Sequence, residues 1–267
     1  MSRGNFNELK KTAFDYRLVV LDMVKNAGAG HIGGSMSCMD ILTVLYHQQM
    51  NKGDKFILSK GHCAEALYAV LAGKGYFQPQ LLDTFVQFDS PFAEHPTKNV
   101  PGVDFATGAL GHGLSVGAGM ALGLKHDKSQ SKVYVLLGDG ELAEGSNWEA
   151  IMSAAHYQLD NLIAIVDRNM LQISGGTEDV MKLDSLAEKF RAFNWDVHSC
   201  NGHDCAQLTV AFSHGNTTKP LVIIANTIKG YGSKVMENIA EWHHQIPTDE
   251  EYLQIKAELI ERRDNIE

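Results

Sequence analysis

Lys132-Val-Tyr-Val-Leu-Leu-Gly-Asp-Gly-Glu141 is answered thirty residues on by Leu162-Ile-Ala-Ile-Val-Asp-Arg-Asn169. Each stretch is a short apolar run that stops on a polar cluster. Such runs predict buried strands of a parallel sheet. Residues 146–159 between them read as a helix, which makes a strand–helix–strand unit. Asp139 closes the first strand and Asn169 the second. In open parallel sheets, ligands bind outside the carboxyl ends of the strands. The two side chains are therefore placed to hold one hard cation. If that cation is Mg²⁺ it needs further oxygens, and a diphosphate is a natural source.

Working outward, a helix is predicted over 6–27, with Gly28 as its C-cap. The glycine-rich stretch Gly30-His-Ile-Gly-Gly-Ser35 reads as a loop, and Ser37 or Asp40 opens a helix to about Met50. A strand over 55–59 leads into Lys60-Gly-His62. Helices are expected over 64–74 and 78–88, then an irregular loop over 90–104. A small-residue helix follows Thr107-Gly-Ala-Leu-Gly-His-Gly113 and runs to about His126. Residues 171–177 read as a loop. Helices near 183–192 and 204–213 flank a strand near 195–198, and 221–226 is the last strong strand. A loop to about Thr248 precedes a charged helix over 249–264. Alternation of strands and helices predicts one α/β domain over 1–267, a parallel sheet with helices on both faces.

Composition narrows the function. The 267 residues are 44% hydrophobic and 21% charged, ordinary for a globular domain. A net charge of -9 without a basic cluster argues against nucleic acid as partner. No apolar run approaches the roughly 18 residues needed to span a membrane, and residues 1–8 lack an apolar signal core. Cys38, Cys63, Cys200 and Cys205 form no close-spaced disulfide framework, so a reduced, cytoplasmic setting is expected. His198, Cys200, His203 and Cys205 crowd together, but their spacing fits no common zinc signature. Asn201-Gly202 reads as a turn and Asp204 as a helix N-cap.

His31, His62, His95, His112 and His243 all stand in loops beside glycine or proline, or next to another loop histidine. Several loop imidazoles on one side of a sheet can orient sugar hydroxyls and carry protons near neutral pH.

These stretches together carry a resemblance. Gly138-Asp-Gly140 followed by Asn169 resembles the thiamine-diphosphate motif. Gly30-His-Ile-Gly-Gly, Leu58-Ser-Lys-Gly-His62, Glu94-His-Pro96, Thr107-Gly-Ala-Leu-Gly111, Gly138-Asp-Gly-Glu-Leu-Ala-Glu-Gly145 and Thr227-Ile-Lys-Gly-Tyr-Gly232 stand in the order of the transketolase family, over roughly residues 25–245. The length resembles the diphosphate-binding domain alone. That implies the N-terminal subunit of a split transketolase, in which the pyrimidine-binding and C-terminal domains form a separate chain. It also implies an α2β2 assembly and transfer of a two-carbon ketol unit from a ketose phosphate to an aldose phosphate.

The resemblance assigns roles position by position. Asp139, Asn169 and the carbonyl of Leu171 match the ligands of Mg²⁺, for which Ca²⁺ or Mn²⁺ can substitute. His62, Gly108, Leu110, Gly140, Asn169, Lys229 and His243 match cofactor contacts. His31, His95 and His243 match histidines of the substrate channel. Glu144 and Glu149 match acidic residues near the partner domain. Some positions depart from the pattern. Ile32 replaces a proline, Glu94 the glycine of Gly-His-Pro, and His244 the glycine of Trp-His-Gly. His112 stands where glutamine is common, and Arg168-Asn169 where the pair is usually acidic or amide. Ile32, Glu94 and His112 are placed to border the channel; they mark either neutral drift or a non-standard sugar, such as a branched or sulfonated ketose phosphate analogue. Competing readings are the α subunit of a 2-oxo acid dehydrogenase, which shares the metal motif, and a non-catalytic cofactor-binding relative. A Rossmann dehydrogenase lacks support, because no Gly-x-Gly-x-x-Gly opens the first βα turn.

Overall fold

The computed structural model describes residues 3–214 and 218–267. Its centre is a five-stranded parallel sheet. The strands are β1 (Lys55–Leu58), β2 (Val133–Gly138), β3 (Leu162–Arg168), β6 (Asp196–Asn201) and β7 (Leu221–Asn226), in the order β1-β2-β3-β7-β6. A second, two-stranded antiparallel piece, β4 (Leu171–Gln172) and β5 (Gly175–Gly176), folds back beyond β3.

Alternation along each strand builds two cores. Tyr134 and Leu136 of β2, Ile163 and Ile165 of β3, and Leu221, Ile223 and Ala225 of β7 face one side. They meet α1 (Arg3–Ala27), α2 (Ile32–Val44), α3 (Ala64–Gly73), α8 (Cys205–Ser213) and α9 (Asp249–Asp264). Val133, Val135, Leu137, Leu162, Ala164, Val166, Val222 and Ile224 face the other side. There they meet α4 (Gly113–His126), α5 (Gly145–His156) and α7 (Leu186–Ala192). A short turn of helix, α6 (Thr177–Val180), follows β5.

The crossover α5 lies on one face and α8 on the other. The winding of the sheet therefore reverses between β3 and β7, and a crevice opens where their C-terminal loops diverge. Asp139, Asn169 and Lys229 all lie just beyond the strand ends at this crevice.

Several boundaries match expectation. Gly28 ends α1 in left-handed backbone at φ +64°, with its amide on the Val24 carbonyl at 3.0 Å. Asp204 caps α8 through the amides of Ala206 and Gln207. Thr248 and Glu251 form a reciprocal capping box on α9.

Others need correction. The helix expected from Ser37 or Asp40 starts at Ile32, so the glycine-rich stretch is its first turn. Gly33 is there for close approach: a Cβ at that position would collide with the Trp242 carbonyl. The helix expected over 78–88 is a 3-10 turn, Pro79–Thr84, stopped by the positive φ of Val86. Residues 171–177 carry the β4–β5 hairpin instead of an open loop. The edge strand β6 is longer than expected because backbone pairing to β7 carries polar residues through Asn201.

Candidate active site

The metal corner forms because two strand ends are tied across β2 and β3. Asp139 is 1% exposed, and its Oδ2 accepts the Met170 amide at 2.7 Å, while Oδ1 accepts the Gly140 amide at 2.8 Å. Met170 holds φ +66°, which turns the chain back toward Asp139. Arg168 Nη1 approaches Asp139 at 3.3 Å, and its Nη2 reaches Glu178. Asn169 is buried, donates to Asp167 at 3.2 Å and accepts the Leu171 amide at 3.1 Å. Burial, then the charge of Asp167, pushes the Asp139 carboxyl above its ordinary range. A cation bound here would reverse that cost.

Two lysines lie beneath. Lys60 is 1% exposed and pairs with Asp167, which also accepts from Ser37 and Thr227. Burial disfavours the Asp167 charge, but Lys60 and these hydrogen bonds hold it below the ordinary carboxylate range. Lys229 is equally buried, yet no carboxylate lies within 4 Å of it among the described residues. Among the described residues its Nζ has one hydrogen-bond contact, Nδ1 of His243 at 3.4 Å. Burial, then the charge of Lys60, lowers its affinity for a proton.

The histidines gather at the mouth. The His31 ring centre lies 5.5 Å from that of His62, 6.0 Å from His95, 5.7 Å from His243 and 4.5 Å from His244. His62 and His243 lie 5.0 Å apart. Burial and neighbouring imidazoles hold His31 down to about 4. Burial and Lys229 hold His243 down to about 3. Both rings are neutral at pH 7.

The sequence reading missed two side chains that assemble this mouth. Glu141 accepts the amides of Gly111 at 2.9 Å and Gly138 at 3.0 Å and bonds Ser59, locking three loops. Glu65 is fully buried and accepts the His31 amide at 2.7 Å and the Ser35 hydroxyl at 2.9 Å. Glu141 lies inside the glycine–aspartate motif and was open to notice. Glu65 sits in an apolar helix, where nothing marks it.

Other expected residues stand apart. Glu144 is exposed at the start of α5 and caps no amide. His112 is exposed, bonds the Leu110 carbonyl at 3.1 Å and makes no ring contact with the other histidines. It is therefore outside the cluster that was expected to include it. Glu94 does reach that cluster, at 3.5 Å from His31 Nδ1. Ile32 is buried in the first turn of α2. Beside His198, Cys200 and Cys205, His203 has both ring nitrogens engaged by protein, Nδ1 with Asp40 and Nε2 with the Ile228 amide, each at 2.9 Å.

Residues 9–261 match the family model "transketolase, thiamine diphosphate binding domain". The chain belongs to the transketolase family. It is 48% identical over 259 residues to one subunit of the apulose-4-phosphate transketolase of Phocaeicola vulgatus, covering 93% of this chain and 92% of that one. It is 39% identical over 264 residues to a 6-deoxy-6-sulfo-D-fructose transketolase subunit of Clostridium sp., covering 94% and 96%. The transketolase structure from Campylobacter jejuni superposes with a TM-score of 0.88 at 31% identity, over 96% of this chain and 42% of that one. The chain thus spans about two fifths of the solved transketolases it matches.

As a transketolase-family site, the corner fits thiamine diphosphate with a metal. Lys229 is a buried cation with no carboxylate within 4 Å among the described residues, a place that an anionic group would complete. Asp139 and Asn169 offer hard oxygen donors. A Cβ on Gly108 would meet nothing closer than the His95 ring, at 3.4 Å. The protein's own packing therefore does not demand glycine there, and a ligand's close approach would.

Proposed function

We infer that this chain is the N-terminal, diphosphate-binding subunit of a two-chain transketolase. It forms one domain over residues 1–267 and works as an α2β2 heterotetramer. Its partner carries the pyrimidine-binding and C-terminal domains. The reaction moves a two-carbon ketol unit from a ketose phosphate to an aldose phosphate. The name of the 48%-identical relative favours a donor of the apulose-4-phosphate type.

One observation carries this reading. His243 touches Lys229 on one side and His62 and His31 on the other. The same imidazole thus borders a site built for an anion and a mouth built for hydroxyls. Thiamine diphosphate, when bound, supplies the carbanion chemistry at its thiazolium. Asp139, Asn169 and the Leu171 carbonyl would hold Mg²⁺. Lys229, His62, Gly140 and the backbone at Gly108 and Leu110 would hold the diphosphate. Neutral His31, His95 and His243 orient substrate hydroxyls and pass protons, because each ring presents one donor and one acceptor. Glu144 stands on the exposed face and would contact the partner.

The test is coexpression with a partner chain of transketolase type, followed by a ketol-transfer assay with thiamine diphosphate and Mg²⁺. Consumption of the ketose phosphate donor and two-carbon extension of an added aldose phosphate are expected. Decarboxylation of pyruvate without ketol transfer would instead support a 2-oxo acid dehydrogenase subunit.

A further inference from the structure

We propose that Glu94 and His244 add a hydroxyl-recognising pair to the wall of the sugar site and select the donor ketose through it. This rests on the transketolase reading above. The two residues come from loops 150 positions apart, the proline-bounded segment 90–104 and the turn after Trp242. Both stand where the family pattern has glycine. The fold brings them together: Glu94 Oε2 lies 3.5 Å from His244 Nε2 and 3.5 Å from His31 Nδ1.

The pair keeps hydrogen-bonding capacity at the mouth: Glu94 and His244 meet only at 3.5 Å. Behind them, His31 Nδ1 is buried and lacks a hydrogen-bond partner. A hydroxyl oxygen can lie at ordinary hydrogen-bond distance from both Glu94 Oε2 and His244 Nε2, which stand 3.5 Å apart. It would donate its one O–H to the carboxylate and accept from the imidazole N–H. The Glu94 side chain is 29% exposed and that of His244 50%, so both are reachable from the mouth.

Charge decides what fits. A carboxylate at this point repels phosphate or sulfonate, and the neutral rings of His31 and His243 offer no countercharge. The pair therefore takes an uncharged polyol segment and keeps the anionic end of the sugar elsewhere. A ketose phosphate with a hydroxymethyl branch presents one more hydroxyl near the breaking bond than a linear one of equal reach. That chemical class is the expected donor.

The experiment uses the two-chain complex with Glu94→Gly, Glu94→Gln and His244→Gly. Donors are xylulose 5-phosphate, a hydroxymethyl-branched ketose phosphate and a sulfonated ketose. The wild type is expected to prefer the branched donor. Glu94→Gly and His244→Gly should lower its kcat/KM by about tenfold or more, mainly through KM. The linear donor should change little, the sulfonated donor should improve in Glu94→Gln, and cofactor affinity by calorimetry should stay unchanged. An equal loss for all three donors would reduce Glu94 to a support for His31 and overturn the proposal. An unaltered donor ranking would overturn it too. If the wild-type complex uses no ketose at all, the transketolase reading itself falls, and this inference with it.

Discussion

The ammonium of Lys229 lies 3.4 Å from Nδ1 of His243, inside the protein and without a carboxylate beside it among the described residues. A buried charge without a partner costs stability unless a ligand supplies the opposite sign. Lys60, a few side chains away, has its carboxylate in Asp167. On this asymmetry between the two lysines rests our proposal that Lys229 is the one that meets the cofactor.

Lys229→Met should therefore act in opposite directions on stability and binding. Its lowered proton affinity means that the charged form is penalised below the ordinary lysine pKa, including at pH 7. Without ligand, the variant should unfold at higher temperature than the wild type. Its thiamine diphosphate affinity should fall by about tenfold or more, ~1.4 kcal/mol. Differential scanning fluorimetry and calorimetry on the complex check both. Loss of stability without ligand would remove Lys229 from this role.

Asp139→Asn keeps the shape of the corner but removes its charge. Metal-dependent cofactor affinity should drop on the order of 100-fold or more, since changing even a group that only supports a metal ligand costs about 10–100-fold. The melting temperature without cofactor should hold or rise, because the carboxylate is held above its ordinary range by burial. Titration with Mg²⁺ at fixed cofactor measures the effect.

The sheet was legible because β2, β3 and β7 are fully buried runs that end on polar residues. Their ends carry Asp139, Asn169 and Thr227, so the corner was legible too. The start of α2 was not. Gly33 and Gly34 look like loop residues, and only the Trp242 carbonyl and the Cys63 sulfur, far away in sequence, explain them as packing glycines. Val86 likewise gives no local sign of its left-handed backbone. Glu94 and His244 were each visible as departures from a pattern, but their meeting is a tertiary fact.

Glu65→Gln probes the seat of His31. Burial pushes the Glu65 carboxyl up to about 8, well above its unfolded value of about 4.3. The folded state then binds the proton more tightly. Its contribution is fully present below about pH 4.3 and is lost as pH rises through about 8. Wild-type stability should fall relative to Glu65→Gln across that window. The variant should melt higher by roughly 2–4 °C or more at pH 8. Parallel melting curves from pH 5 to 8 would contradict this assignment.

Asp40 tests a buried ion pair that holds α1 to α2. Arg17 reaches it at 2.6 Å, and His203 at 2.9 Å, with all three groups nearly inaccessible. Asp40→Ala strands the guanidinium and should cost about 3–5 kcal/mol. The double variant Arg17→Met, Asp40→Leu should recover much of that loss. Urea unfolding reads both, and equal stability of the single and double variants would discount the pair.

In the function we propose, this chain holds the diphosphate end of the cofactor while another chain completes the active site. The most direct measurement is ketol transfer from a ketose phosphate at fixed concentration of this chain, titrated with purified partner in saturating thiamine diphosphate and Mg²⁺. The rate should start at zero, rise with added partner and level off at one partner per chain. Turnover by this chain alone would contradict the account.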